Sequence, residues 1–159
     1  MGSQMSRSLL LLLLPAIAGA GEICPWLNAA TAGGVLGGTV AATVTRAKTG
    51  DDAGCLFVRH DGSLALELRI EVETMLSPAK DFPAYTVRCH SASVPLKAIG
   101  NEALACSNDG SDGHAELVVG RVRDRAFVVR LGTTDRSTQP GNLREKAREV
   151  AEQVAGILF

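Results

Sequence analysis

Cys55-Leu56-Phe57-Val58-Arg59-His60-Asp61-Gly62-Ser63-Leu64-Ala65-Leu66-Glu67-Leu68-Arg69-Ile70-Glu71-Val72-Glu73-Thr74-Met75 is the stretch that decides the fold. Two apolar-rich arms, Cys55–Arg59 and Ser63–Met75, flank His60-Asp61-Gly62. Asp-Gly at such a junction supplies the positive φ that a tight hairpin turn requires. In the second arm Leu64, Leu66, Leu68, Ile70 and Val72 point one way. Ala65, Glu67, Arg69, Glu71 and Glu73 point the other. One apolar and one polar face is the signature of a half-solvated antiparallel sheet.

Working outward from this hairpin, Thr39–Ala47 alternates as a further strand, and Thr49–Gly54 reads as a loop. Before them, Asn28 is placed to cap a short helix, Ala29–Leu36, which Gly37-Gly38 ends. Downstream, Ser77–Ser93 fits two patterns. Phe82, Tyr85 and Cys89 stand at helical spacing, with Asp81 as N-cap and Pro83 in the first turn. Tyr85, Val87 and Cys89 also fit a strand; the helix is preferred. Glu102–Ser107 is a short strand, and Asn108–Gly113 is a turn-rich loop. His114–Arg123 and Ala126–Gly132 form another hairpin, closing at Asp124-Arg125 and pairing Val122 with Phe127. Asn142 then caps a last helix with apolar stripe Leu143, Ala147, Val150, Val154 and Ile157. The order predicts an α+β domain: an antiparallel sheet of about six meandering strands, with the N- and C-terminal helices packed on one face.

The chain has 159 residues, a formal net charge of −1, and 46% apolar but only 4% aromatic residues. That fits one domain. Near-neutral charge and few aromatics speak against nucleic acid as a partner. Arg7, the unbroken run Leu9–Leu14 and the small-residue site Ala18-Gly19-Ala20 read as a secretory signal peptide, residues 1–20, leaving 21–159 as the mature domain. The apolar run is too short to span a bilayer as a helix. Glu22 and Ile23 fit a lipobox badly, so no lipid anchor is expected at Cys24. The opening Met1-Gly2-Ser3-Gln4-Met5-Ser6 matches an N-myristoylation pattern, which the leucine run behind it makes accidental.

All four cysteines, Cys24, Cys55, Cys89 and Cys106, fall after the leader. In an exported chain an even count reads as disulfides. Four cysteines allow three pairings, among which sequence alone does not choose; we favour the sequential one, Cys24–Cys55 and Cys89–Cys106. No C-x-x-C spacing supports a metal or redox site.

Cys24-Pro25-Trp26-Leu27 leads into a small-residue helix ending in Val35-Leu36-Gly37. Gly54-Cys55-Leu56-Phe57 opens a strand, and Ile99-Gly100-Asn101-Glu102-Ala103 and the closing helix Ala147–Phe159 follow. Together these resemble small secreted and lipoprotein-type actinobacterial domains of unknown function, similar in turn to PsbP-like domains. The resemblance implies a sheet with helices packed on it, no catalytic residues, and a binding or accessory role in the cell envelope.

Several chemistries were weighed against the residues. His60 and His114 sit at turns, where a histidine ordinarily faces water, and no G-x-S-x-G elbow accompanies them. Asn108–His114 is oxygen-rich, but Val119 stands where an EF-hand needs its glutamate. The carboxylates of Glu67, Glu71 and Glu73 have a spacing compatible with a glycosidase pair, yet Arg69 lies between two of them. Arg121, Arg123 and Arg130 are expected to meet these acids across neighbouring strands. Glu67, Arg69, Glu71, Arg121 and Arg123 are therefore read as a polar docking face. No catalytic residue, cofactor or metal is expected. The functional expectation is a disulfide-stabilised, non-enzymatic module of the periplasm or exterior, binding an envelope protein or small ligand. The alternatives are a small hydrolase using His114 or His60, and a carrier of a small apolar ligand.

Overall fold

The computed structural model describes residues 23–46, 52–62, 64–111 and 113–159. The expected leader, residues 1–20, lies outside these, as do residues 49–51 of the expected loop. The chain runs α1 (Ala29–Leu36), β1 (Ala41–Arg46), β2 (Ala53–Asp61), β3 (Leu64–Thr74), α2 (Pro78–Thr86), β4 (Val94–Leu96), β5 (Glu102–Gly110), β6 (Gly113–Val122), β7 (Arg125–Thr133) and α3 (Pro140–Leu158). It is α+β, with seven strands rather than six. The additional strand, β4, has three residues, too few to show alternation. Its Pro95 suits an edge, where a missing N–H breaks no ladder.

The sheet order is β1-β2-β3-β7-β6-β5-β4, and every pair is antiparallel. This corrects the simple meander. After β3 the chain leaves through α2, crosses to the far edge, and meanders back until β7 closes against β3. Arg69 therefore stands opposite Arg130, and Glu71 opposite Val128.

Local chemistry explains the helices. The Asn28 side chain accepts from Thr31 N–H at 2.8 Å, and Gly37 ends α1 in the left-handed conformation. In α2 the cap is Ser77, not Asp81; the Asp81 carboxylate instead accepts from Ser77 N–H at 2.8 Å. Pro83 lies inside α2 rather than in its first turn. Helix α3 starts two residues before Asn142, with Pro140 at its first position, where the lost N–H has no helical partner to miss. Its buried stripe is Leu143, Ala147, Val150, Ala151, Val154 and Ala155, while Ile157 is exposed.

The β6–β7 hairpin also differs from expectation. Its turn is Arg123-Asp124, and Gly120, not Val122, faces Phe127. Arg123 takes φ 54°, held there because Asn101 Oδ1 accepts from its N–H at 2.5 Å. The shift is even-numbered, so each side chain keeps its face. Gly120 is required at that point: a Cβ there would lie 2.4 Å from the Phe127 ring.

The main core joins α1 (Ala32, Leu36) and α3 (Val150, Val154) to Phe57, Leu68, Ile70, Val118, Val129 and Leu131. A second, smaller core gathers Met75, Phe82, Val119, Ala126 and Val128, with Tyr85 and Leu104 beside it, beneath α2. These strand residues alternate with those of the main core, so α2 covers the opposite face of the sheet. Disulfides Cys24–Cys55 and Cys89–Cys106 each tie the segment flanking a helix (before α1, after α2) to a strand, one for each layer. They contribute about 4 and about 3 kcal/mol respectively on the chain-entropy account.

Candidate docking face

Helix α2 is nine residues long and touches β6 and β7. It leaves the β1–β3 half of its own face uncovered. Leu56 and Val58 on β2, and Glu67, Arg69 and Glu71 on β3, populate that half through the strand register. A concavity of ≈ 280 Å³ opens there, lined by Thr45, Gly54, Leu56, Arg69, Glu71 and Glu73 among others. Gly54 contributes no side chain, which lowers the floor of the concavity between Thr45 and Glu71.

Where the face meets α2, the charges are matched. The Arg88 guanidinium donates to Glu71, and the Tyr85 hydroxyl donates to Glu73 Oε2 at 2.7 Å. Partial burial, then the bond and charge of Glu73, push the Tyr85 hydroxyl up to about 12. Asp52 accepts from Thr74 N–H at 2.9 Å and from its hydroxyl at 2.8 Å, and lies 3.6 Å from the Arg125 guanidinium. Farther from α2, Glu67, Arg69 and Arg130 make no ion pair among the described residues. The Arg130 side chain folds back over Gly132, whose missing Cβ leaves room for it; Gly132 is the register partner of Glu67.

Of the five residues expected on one docking face, Glu67, Arg69 and Glu71 lie together on β3. Arg121 shares the face but stands on β6, two strands away. It bonds Glu102 and sits 6.0 Å from the Phe82 ring centroid. Arg123 is in the turn at the end of the sheet. The crossover through α2 is the reason, because it inserts β7 between β3 and β6.

A second polar cluster escaped the sequence reading. Glu116 is 1% exposed on the α3 side of β6. It accepts from the Ser107 hydroxyl at 2.8 Å and from Arg144 Nε at 3.1 Å, and meets His114 Nε2 at 2.9 Å. His114 Nδ1 meets Asp109. Burial alone would lower the His114 pKa; the bonds to Asp109 and Glu116 outweigh it and raise the value above 6.5. The signal was present in the sequence: Glu116 has the same strand parity as Val118 and Val122, an inward position. Both ring nitrogens engage carboxylates, so neither is placed to take a proton from a nucleophile. The Ser107 hydroxyl points to Glu116, not to the imidazole. The cluster clamps the start of α3 to β5 and β6. His60 and His90 are exposed, and neither is bonded to this cluster.

No protein-family model matches the chain, and no curated protein does. Among the described residues, no helix is long and apolar enough to cross a membrane. No grouping of three or more His, Cys, Asp or Glu among them is arranged to hold a metal ion.

Proposed function

We propose that this chain is an exported, disulfide-stabilised binding or accessory module of the bacterial cell envelope, related to the PsbP-like secreted domains it resembles. Its partner is an envelope protein that docks on the uncovered half of the α2 face. The observation that carries this reading is the pattern of charge on that half. Among the described residues, Glu67, Arg69 and Arg130 stand without ion-pair partners beside a concavity with Leu56 in its lining. A mixed-sign surface around a small apolar centre suits protein recognition, where charge sets orientation and the centre supplies desolvation. Two paired disulfides and the leucine-rich leader support export into an oxidising compartment.

The test is site-specific photo-crosslinking in the producing cells. A crosslinker at Leu56 or Val58 is expected to give one adduct of defined mass, lost on the Glu67→Arg/Arg69→Glu exchange. The same group at Glu149, on the wet side of α3, is expected to give none. Identical adduct patterns from all three positions, or none from the sheet face, would overturn the reading.

A further inference from the structure

A cleft of ≈ 240 Å³ opens at the other end of the α1/α3 layer. It lies between the β2–β3 hairpin and the first two turns of α3. Its floor is apolar: Leu36 and Leu143 are buried, and Leu66 is half-buried beside them. Leu64, 41% exposed, stands at the rim. Two cations line the cleft. Arg59 reaches across from β2, with Nη1 donating to Leu36 O at 2.8 Å. Lys146 comes from α3, half-buried and with no acidic partner among the described residues. The one acid among the described lining residues, Asp135, is already engaged. Its carboxylate accepts from Ser137 N–H at 2.8 Å, the Ser137 hydroxyl at 2.7 Å and the Thr138 hydroxyl at 3.2 Å. These bonds hold its pKa below the usual carboxylate value.

The cleft thus combines an apolar floor with an ammonium group that no described residue compensates. A half-buried lysine beside leucines gains most from an anion that brings its own apolar tail. The volume is below that of a drug-sized site. At ~30 Å³ per non-hydrogen atom, the liquid volume of a water, it holds roughly eight. We propose that the cleft binds a small organic monocarboxylate with a short aliphatic chain. The carboxylate sits on Lys146, and the chain lies on Leu36, Leu66 and Leu143. This site is separate from the docking face, on the opposite side of the sheet, and does not depend on that reading.

The experiment is a calorimetric titration of the full mature chain with hexanoate, acetate and hexylamine, with methyl NMR shifts as the structural readout. Hexanoate is expected to bind saturably and to shift the methyls of Leu36, Leu66 and Leu143. Lys146→Gln is expected to weaken it roughly tenfold, the loss of one charge-assisted hydrogen bond. The same variant should melt within a degree or two of the parent, since Lys146 stabilises no partner. Hexylamine and acetate should each bind at least tenfold more weakly than hexanoate. Equal binding of hexylamine would show that the apolar floor alone acts. Equal binding of acetate would show an adventitious ion only. Either result, or hexanoate shifts confined to other residues, or an unchanged Lys146→Gln affinity, overturns the proposal.

Discussion

The two halves of the α2 face are built from the same strands and solve different problems. Over β6 and β7, a nine-residue helix buries Phe82 against Val119, Ala126 and Val128. The charged side chains between it and the sheet are matched: Glu71 with Arg88, Glu73 with the Tyr85 hydroxyl, Arg121 with Glu102. Over β2 and the outer part of β3, no described element covers the sheet, and Glu67, Arg69 and Arg130 are unmatched among the described residues. Where α2 partly excludes water, a lone charge is expensive, so charges are paired. Where water has access, an unpaired charge costs little in stability and is available to an incoming surface. The difference separates the part of the face that maintains the fold from the part proposed to recognise a partner.

That contrast can be broken by substitution. Phe82 is the one buried side chain of α2. Phe82→Ala should cost about 3–5 kcal/mol in chemical denaturation. Leu56→Ala, on the open half, should cost under about 1 kcal/mol. Comparable losses would mean the two halves contribute alike. Next in size, Cys89→Ser combined with Cys106→Ser should cost about 3 kcal/mol. Hydrogen exchange should then accelerate in α2 while the β2–β3 pairing stays protected. Uniform acceleration would show that α2 and the sheet open as one unit.

The His114 cluster sharpens the comparison from the other side of the sheet, since it too supplies partners to a covered charge, Glu116. Its histidine pKa is raised on folding. Its contribution is therefore complete below the unfolded value of about 6.5 and is lost as pH rises through the higher folded value. Thermal melts from pH 5.5 to pH 9 should show this decline, and His114→Gln should flatten it. The smallest effect belongs to the open half. Arg69→Ala should change stability by no more than about 0.5 kcal/mol. A loss above 1 kcal/mol would mean that Arg69 holds the sheet rather than serving recognition.

Much of the architecture was legible because it is written locally. Asn28 and Gly37 bound α1 through cap chemistry that three or four residues specify. Alternation from Leu64 to Val72 assigns both faces of β3 without reference to any other strand. The sequential disulfide pairing is present, bringing Cys24 to Cys55 and Cys89 to Cys106. What escaped depends on distant partners. Nothing within Pro78–Thr86 says which edge of the sheet the chain will join next, so the docking-face acids were matched with arginines that β7 keeps two strands away. Arg123 adopts a left-handed turn because Asn101, far back in the chain, accepts its N–H, and local turn preference placed the bend one residue late. His114 looked like an ordinary turn histidine because strand β5 continues to Gly110 and brings Asp109 opposite it.

The return of β7 to β3 has a kinetic side. Strands β1–β3 form from neighbouring segments, and so do β4–β7, but the two groups join along the single β3–β7 ladder. Leu68 meets Leu131 and Ile70 meets Val129 only after the loop between them has closed, an entropic cost that precedes any gain from the contact. Until that moment β3 and β7 each present an unpaired edge, the kind of surface that invites wrong partners. The last strand of the chain to be made is thus the one that turns two hairpin systems into one body.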